Sequence, residues 1–344
     1  MASPVYFAQA RGTPRLNKFG RLEKLVREAG LKDITADGVM TAIKVHWGEK
    51  GNADFVPSFF VRYLVSMVRE CGGLPFVTDT NTLYRGSRHN ALDNLATARD
   101  NGFCDATLGA PVLIADGLTG MDYREVPVPG QHMKSARIAS AIVDAEAMVV
   151  VSHVKGHMVF GFGGALKNLG MGCSAAAAKQ SLHADVRPVV DGDRCTACGQ
   201  CVHHCAFGAI SLTGAATGSS QASIDLERCA GCGECLVVCP EEAIPIDWGG
   251  DDGSSFAATQ QKTAEYAAAA VAGKQANCLY VNFLTNITPD CDCCSWSDAP
   301  IVPDIGYLVS RDPVAIDMAS VDLVNGFTGL PGRDAVVPAG DRFR

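Results

Sequence analysis

Two runs of closely spaced cysteines constrain this chain more than any other feature of its sequence. Each run has the spacing Cys-x2-Cys-x2-Cys-x3-Cys, and together they use eight of the 15 cysteines. The eight are Cys195, Cys198, Cys201, Cys205, Cys229, Cys232, Cys235 and Cys239. This spacing is typical of a bacterial-type ferredoxin with two [4Fe–4S] clusters, because three thiolates of a run bind one cluster and the fourth reaches the other.

The same spacing predicts which thiolates share a cluster. We expect Cys239 to complete the cluster of the first run and Cys205 to complete that of the second. The predicted sets are Cys195, Cys198, Cys201 and Cys239 for one cluster and Cys229, Cys232, Cys235 and Cys205 for the other. Zinc knuckles are the main alternative, but they usually have two pairs of cysteines rather than two runs of four. Pro240 follows the second run whereas Ala206 follows the first, which leaves the geometry around Cys205 open.

The composition argues against several classes of protein. A formal net charge of −8 and a pI near 5.5 speak against a surface for nucleic acid or anionic membranes. No stretch approaches the roughly 20 apolar residues that span a bilayer, and we expect no secretory signal at the N-terminus. With 47% hydrophobic residues the chain can build an ordinary core without a disulfide framework. Thiolate-bound clusters and unpaired cysteines favour a reducing cytoplasm.

Outside the cysteine runs, segments of strand type alternate with segments of helix type. Short apolar runs predict strands at 41–46, 75–78, 112–115, 148–152, 279–284 and 305–310. Helical patterns occupy 16–29, 56–70, 90–101, 262–272 and 313–325. In the last of these, Asp312 is the expected N-cap and Pro313 the first helical residue. This alternation predicts an α/β fold with a largely parallel sheet.

The cysteine segment interrupts that alternation. Similar short segments, 209–212 and 243–246, follow the two runs, which indicates an internal duplication of the ferredoxin type. Stretches rich in glycine and serine at 213–220 and 249–255 mark its internal and outer boundaries. We therefore expect an inserted α+β bacterial-type ferredoxin module between two parts of an α/β domain. The predicted limits are 1–187 for the first part, 188–248 for the insert and 249–344 for the second part.

A glycine-dense loop with histidines and a lysine follows the strand predicted to end near Ser152. Glycines let backbone N–H groups approach a ligand closely, and open α/β sheets bind ligands at the carboxyl ends of their strands. The spacing matches neither a P-loop nor a dinucleotide-binding motif. A loop that needs positive φ angles and carries solvated polar side chains is the alternative. The candidate site residues are His157, Gly161, Gly163, Gly164, Lys167 and His183.

Much of the chain resembles the domain of unknown function 362 family with an inserted ferredoxin module. The matching stretches are 44–52, 78–88, 114–117, 152–173, 286–293, 304–306 and 312–317. The resemblance implies an iron–sulfur protein of anaerobic metabolism whose reaction is unassigned.

A more distant resemblance concerns the glycine-dense loop. His157, the glycines at 161–164, Lys167 and His183 are similar in order and spacing to a motif of the nickel-pincer-nucleotide lactate racemase superfamily. This resemblance implies that Lys167 carries a covalently tethered nickel cofactor, that His183 binds the nickel and that His157 is the general base. Histidine suits both of the last two roles. A shared fold without the cofactor is the alternative.

Further thiols lie outside the two runs. Cys291 and Cys293, next to Cys294, are candidate ligands of an additional metal, together with Cys173, or else reduced cysteines without such a role. His46 and Glu49 lie at the end of a predicted strand, where they could face the same cleft as the glycine-dense loop, but we favour the interpretation that they belong to a surface loop.

Taken together, the sequence predicts an iron–sulfur oxidoreductase. Its ferredoxin module would exchange electrons with an α/β site in which His157, Lys167 and His183 act on a small organic substrate. A ferredoxin, flavodoxin or reductase is the expected redox partner. Two alternatives stay open: an electron carrier whose α/β domain docks a partner, and a protein that assembles or carries a metallocofactor.

Overall fold

The computed structural model describes residues 3–83, 86–157, 160–183, 188–205, 207–214, 220–229, 234–245 and 254–327. Cys232, a predicted cluster ligand, lies outside these residues, as does the side chain of His183. In the described ranges, no helix combines the length and the hydrophobicity that a membrane crossing requires.

Helices and strands alternate along most of the described chain. In chain order the strands are β1 (Val5–Gln9), β2 (Met40–Val45), β3 (Leu74–Asp79), β4 (Val112–Ile114), β5 (Tyr123–Pro127), β6 (Ser135–Ala139), β7 (Ala147–His153), β8 (Lys155–His157), β9 (Gly161–Gly163), β10 (Ile210–Thr213), β11 (Gln221–Ile224), β12 (Cys278–Leu284) and β13 (Gly306–Ser310). The α-helices are α1 (Lys18–Glu28), α2 (Leu31–Ile34), α3 (Ser58–Glu70), α4 (Ala91–Asp100), α5 (Asp105–Leu108), α6 (Ser140–Asp144), α7 (Ala165–Gly170), α8 (Ala176–His183), α9 (Gln200–His204), α10 (Glu234–Val238), α11 (Ser254–Ala270) and α12 (Pro313–Gly326).

The central sheet has seven strands in the order β1-β13-β12-β7-β2-β3-β4. All of its neighbouring pairs are parallel except the two that β13 makes, with β1 and with β12. This confirms the predicted α/β class with a largely parallel sheet. β13 runs the other way because the described connection from β12 contains no crossover helix, which a parallel return would need.

Helices cover both faces of this sheet, and two hydrophobic cores result. Successive residues of β7 point to opposite faces: Val149 packs with α1 and α3, whereas Val150 packs with α7, α8, α11 and α12. All seven residues of β7 are buried, as expected for a parallel strand that is covered on both sides. At Gly170, α7 lies so close to α11 that an added Cβ would come within 2.2 Å of the Thr263 carbonyl oxygen.

The predicted helices are found with small shifts at their ends. The Asp312 carboxylate accepts hydrogen bonds from the backbone N–H groups of Val314 and Ala315, at 2.9 and 3.0 Å, and so caps α12 as expected. The helix predicted at 262–272 instead occupies Ser254–Ala270. The sequence patterns did not predict β1, the β5–β6 hairpin, α7 or α8, all of which are short.

Strands from both sides of the cysteine segment pair directly in the sheet. β7, which precedes the segment, is hydrogen-bonded in parallel to β12, which follows it. Within the segment, β10 and β11 form an antiparallel pair with Ile210 opposite Ile224. The limits of the three predicted parts of the chain stay predictions.

Candidate functional site

A cavity of about 360 Å³ opens at the carboxyl ends of four neighbouring strands. His46 follows β2, Asp79 ends β3, His153 ends β7 and Cys291 lies on the connection after β12, and all four line the cavity. This is the edge of the sheet where open α/β folds bind their ligands, and the volume suits a small molecule.

One part of the cavity wall carries two thiols and an imidazole. A ring nitrogen of His157 and the sulfur atoms of Cys291 and Cys293 lie within 4.8 Å of one another. Nδ1 of His157 accepts a hydrogen bond from the backbone N–H of Phe160 at 3.3 Å, so Nε2 is the nitrogen that can bind a metal or carry a proton. Two thiols and an imidazole form a soft donor set that suits zinc, copper, nickel or iron.

The ammonium group of Lys167 lies against these thiols. Its Nζ is 3.1 Å from the sulfur of Cys291. A hydrogen bond with Cys293 and the nearby ammonium hold the pKa of the Cys291 thiol well below its usual range, although burial acts in the opposite direction. Burial alone would lower the pKa of Lys167, but the charges of the two thiols outweigh it and raise that pKa. The pair is therefore best described as an ammonium beside a thiolate.

The glycines of the preceding loop set the position of Lys167. The Asp317 carboxylate accepts hydrogen bonds from the backbone N–H groups of Ala165 and Leu166, at 2.8 and 2.9 Å, and so holds the start of α7. A Cβ on Gly164 would come within 2.4 Å of that carboxylate, so only glycine fits there without a shift. This close approach is enough to explain why position 164 is a glycine, and no bound ligand is needed to explain it.

A buried charged network supports the loop that carries the thiols. Oδ1 of Asp292 lies 2.8 Å from Nδ1 of His153, and Oδ2 lies 3.0 Å from Nζ of Lys155. The other nitrogen of His153 lies 3.0 and 3.1 Å from the carbonyl oxygens of Thr285 and Asn286. Both ring nitrogens of His153 thus face oxygen atoms of this loop, and these contacts fix the orientation of the ring. Burial would raise the pKa of Asp292, but the charges of His153 and Lys155 lower it.

A second charged network is centred on Asp79. Its carboxylate lies 2.8 Å from Nζ of Lys44 and 3.6 Å from Nη1 of Arg88. The Arg88 guanidinium also pairs with Glu49 at 3.1 Å. Glu49 is 5% exposed, and His46 lines the cavity. The interpretation of His46 and Glu49 as surface-loop residues is therefore wrong, because Glu49 is needed to balance a buried guanidinium.

Lys179, on α8, brings a further ammonium group to the cavity wall. Its Nζ donates to Oγ1 of Thr80 at 2.8 Å and to the carbonyl oxygen of Asn81. Burial lowers the pKa of Lys179 to about 8, although the carboxylate of Asp116 opposes this. Burial likewise raises the pKa of Asp116 to about 6.

Four cysteines of the two runs line a separate small pocket. They are Cys195, Cys198, Cys201 and Cys239, the set predicted to share one cluster. Backbone N–H groups point at two of the sulfurs, from Ala222 to Cys195 and from Ala243 to Cys239, each at 3.3 Å. Such N–H···S bonds are among the features that tune thiolate-bound clusters.

The second predicted set is described only in part. The sulfur of Cys205 accepts a hydrogen bond from the backbone N–H of Ala209 at 3.2 Å, which mirrors the arrangement at Cys239. Because Cys232 lies outside the described residues, this set stays a prediction.

The cysteine segment packs against the wall of the cavity. Cys201 and Cys235 share a hydrophobic cluster with Leu83 and Ala176 of the α/β part. Leu83 also lines the cavity, and Ala176 begins α8, which carries Lys179. The segment thus lies on the side of the cavity next to β3.

A family profile matches most of the chain. The profile of the Domain of unknown function (DUF362) covers residues 41–322. The chain belongs to the DUF362 family. This confirms the DUF362 resemblance seen in the sequence, while the inserted ferredoxin module stays a prediction. No curated protein matches this DUF362 chain.

Several chains of solved structures are similar to part of the chain. Among them is the lactate racemase apoprotein from Thermoanaerobacterium thermosaccharolyticum, with 15% identity and a TM-score of 0.35. The match covers 47% of this DUF362 chain and 39% of the racemase chain. A likeness of this extent carries no inference about the chemistry of the DUF362 protein.

The structure brings several predicted site residues of the DUF362 chain together. His157, Gly163, Gly164 and Lys167 line the cavity, where Cys291 and Cys293 join them. Gly161 is at the start of β9 with a φ of 72°, a left-handed conformation that favours glycine. His183 ends α8, and its side chain lies outside the described residues.

Other residues differ from the expectation or went unnoticed. Cys173 lies in the hydrophobic core, where burial raises the pKa of its thiol to about 12, and it does not join the His157 cluster. Lys155, Lys179, Asp292 and the Asp79 network were not singled out as site residues. Asp79 and Lys155 each lie within a few residues of the end of a predicted strand, whereas Lys179 lies on α8, which the sequence patterns did not predict.

Proposed function

We propose that this DUF362 protein is an iron–sulfur oxidoreductase. A module with two [4Fe–4S] clusters, over residues 188–248, exchanges electrons with a metal-containing cavity of the α/β domain that acts on a small organic substrate. The observation that carries this proposal is the shared packing of Cys201, Cys235 and Leu83, because Leu83 also lines the cavity.

The residues of the cysteine segment fit cluster binding. Four thiols converge on one pocket, and backbone N–H groups donate to the sulfurs of Cys195 and Cys239. Ala197, between the first two ligands, has a φ of 54°, so the chain turns sharply there. When bound, the clusters would supply one-electron transfer.

The residues of the cavity fit a separate metal ion. His157, Cys291 and Cys293 would hold it, and three protein ligands leave a coordination position for a substrate. A metal there would act as a Lewis acid on a bound oxygen. The Lys167 ammonium balances the thiolate charge on the buried side of the site.

Metal analysis of anaerobically purified protein tests the proposal. We expect about eight irons with matching sulfide per chain, and about four irons after Cys195→Ala or Cys229→Ala. Cys104→Ala, at a thiol outside both runs, is the matched control and should keep all the iron. Zinc in place of iron, or full iron content in both run variants, would contradict the proposal.

The contact between the two sites has a spectroscopic test. A paramagnetic Co²⁺ ion at Cys291 and Cys293 should speed the spin relaxation of a nearby reduced cluster, which is measured by EPR power saturation. Zinc-loaded protein is the diamagnetic control, and Cys291→Ser/Cys293→Ser should abolish the effect. Identical saturation with cobalt and with zinc would count against electron exchange between the sites.

The nickel-pincer cofactor predicted from the racemase motif is a second candidate for the same cavity. Lys167 and His157 both line it, as a tether and a general base require. Intact-mass analysis of the peptide that contains Lys167, from a host that makes the cofactor, decides between the two. An adduct on Lys167 would establish the tethered cofactor. An unmodified lysine would exclude it and favour a metal ion that is bound directly by the side chains of the protein.

The soft donor set also favours one non-enzymatic function, a carrier of metal or metallocofactor. A carrier would release its metal to a chelator within minutes, whereas a resident metal would not exchange. Exchange should be measured for the cavity metal alone. This metal is the fraction that the wild type binds and that Cys291→Ser/Cys293→Ser lacks.

A further inference from the structure

We infer that the part of the cavity around Lys179 binds a carboxylate, so that the substrates of this protein are small organic acids. The inference deepens the proposed function and rests on it only for the role of the metal at the opposite end. It is carried by the separation of two strand ends that border the cavity, by the partners of its cationic side chains and by the apolar residues of its wall.

The thiols and Lys179 lie at different ends of the cavity. Cys291 and Cys293 lie on the connection after β12, whereas the partners of Lys179, Thr80 and Asn81, follow β3. β7 and β2 lie between these two strands in the sheet. Since neighbouring strands are about 4.8 Å apart, three spacings separate the ends by about 14 Å. An extended ligand can therefore contact both.

The cationic side chains of the cavity differ in their partners. Lys155 faces the Asp292 carboxylate at 3.0 Å, Arg88 faces acidic groups, and Lys167 faces a thiol at 3.1 Å. Among the described cationic side chains of the wall, Lys179 has no carboxylate or thiolate within 4.0 Å, and its two hydrogen-bond partners are neutral oxygens. An ammonium has three donors, so one can serve a ligand.

The groups around Lys179 suit a carboxylate. The Thr80 hydroxyl donates to the carbonyl oxygen of Gly172 at 3.1 Å, so it holds Lys179 but has no donor left for a ligand. Thr82 lines the cavity two residues further along, and Leu83 and Met171 add apolar surface. A single ammonium with no carboxylate within 4.0 Å balances one negative charge, which matches a carboxylate better than a phosphate dianion. Apolar walls then accommodate a short carbon chain, and the low dielectric strengthens the charge pair.

A matched pair of thiol ligands tests the inference on the cluster-containing protein with Co²⁺ in the cavity. The probes are 4-mercaptobutyrate and 4-mercapto-1-butanol, whose sulfur can reach the cobalt and gives a charge-transfer band. We expect the acid to bind about 10 to 100 times more tightly than the alcohol, the range of a charge-assisted contact worth about 1.4 to 2.7 kcal/mol. Lys179→Met should abolish this preference and leave the affinity for the alcohol within about twofold.

Two variants test whether a loss of the preference for the acid is due to the missing charge of Lys179. Lys179→Arg should keep most of the preference for the acid, and Lys24→Met, at an exposed lysine of α1, should keep all of it. Thermal unfolding of each variant checks that it is folded. Equal binding of acid and alcohol to the wild type would overturn the inference while leaving the metal site intact.

A failure of cobalt to bind would separate the proposed metal centre from the proposed carboxylate site. If cobalt does not bind, the proposed metal centre fails, and calorimetry with butyrate and 1-butanol decides the carboxylate inference by itself. Tighter butyrate binding that is lost in Lys179→Met would then support it, and equal binding would overturn it. Tighter, Lys179-dependent binding of 3-mercaptopropylphosphonate than of the carboxylate would also overturn it in favour of phosphate.

Discussion

The two thiol-bearing regions of this protein are built in opposite ways. In the cysteine segment, most predicted ligands of a cluster come from one short run, and the buried cluster around Cys201 and Cys235 includes Leu83 and Ala176 from the α/β part. In the cavity, by contrast, His157 and Cys291 are brought together by two strands of a sheet with a large core on each face. A small core depends on its metal for stability, whereas a large core can form a metal site before the metal arrives.

Removal of iron should produce the largest difference between the two regions. We expect chelation under air to unfold the cysteine segment, because its own apolar core is small, and to leave the α/β domain folded. Hydrogen exchange should show lost protection in β10 and β11 but unchanged protection in β7 and β12. Equal loss in both regions would show that the α/β domain also depends on the clusters.

Asp79→Ala should cost the α/β domain about 3 to 5 kcal/mol of unfolding free energy, because Lys44 would become a buried charge without its acid. Urea denaturation measures this cost. Asp298→Ala, at an exposed acid, is the control and should change stability by less than about 0.5 kcal/mol. A small effect of Asp79→Ala would mean that the network relaxes around the change.

Asp292→Asn tests whether the cavity site is preorganised. The amide carries no charge to balance Lys155 and can accept a hydrogen bond on one side only, so the loop with the two thiols should lose its fixed position. We expect Co²⁺ affinity to fall about 10- to 100-fold, as for other groups that support metal ligands, while the iron content stays the same. Unchanged cobalt affinity would show that the thiols alone determine binding.

The dependence of stability on pH tests the Lys179 end of the cavity by itself. The pKa of Lys179 is about 8 in the folded protein and near the ordinary lysine value of 10.5 in the unfolded chain. Between these values the unfolded state binds more protons, so stability should rise with pH from about 8 to about 10.5, and the contribution is lost as pH falls through 8. Lys179→Met should lack this rise relative to the wild type. If unfolding free energy depends on pH in the same way in the two proteins, the Lys179 ammonium is solvated and its pKa is not lowered.

Local patterns predicted most of the fold. β7 and β12 are nearly continuous apolar runs, and the Asp312–Pro313 pair marks the start of α12, so neighbouring residues carry these signals. The direction of β13 was not predictable in this way, because it depends on the absence of a crossover helix. Glu49 was misjudged because its partner, Arg88, is 39 residues away.

For the site, the sequence by itself indicated some of the residues, such as His157, Lys167 and Cys291, but not their arrangement or their charged neighbours. The spacing of the two cysteine runs predicts cluster ligands, since a cluster needs thiolates a few residues apart. The contact of Lys167 with Cys291 joins residues 124 positions apart, and the ammonium of Lys179 reaches a strand end 99 positions away. Only the tertiary structure decided these contacts, because the partner of a buried charge is chosen by the sheet order that brings strand ends together and not by its neighbours in the chain.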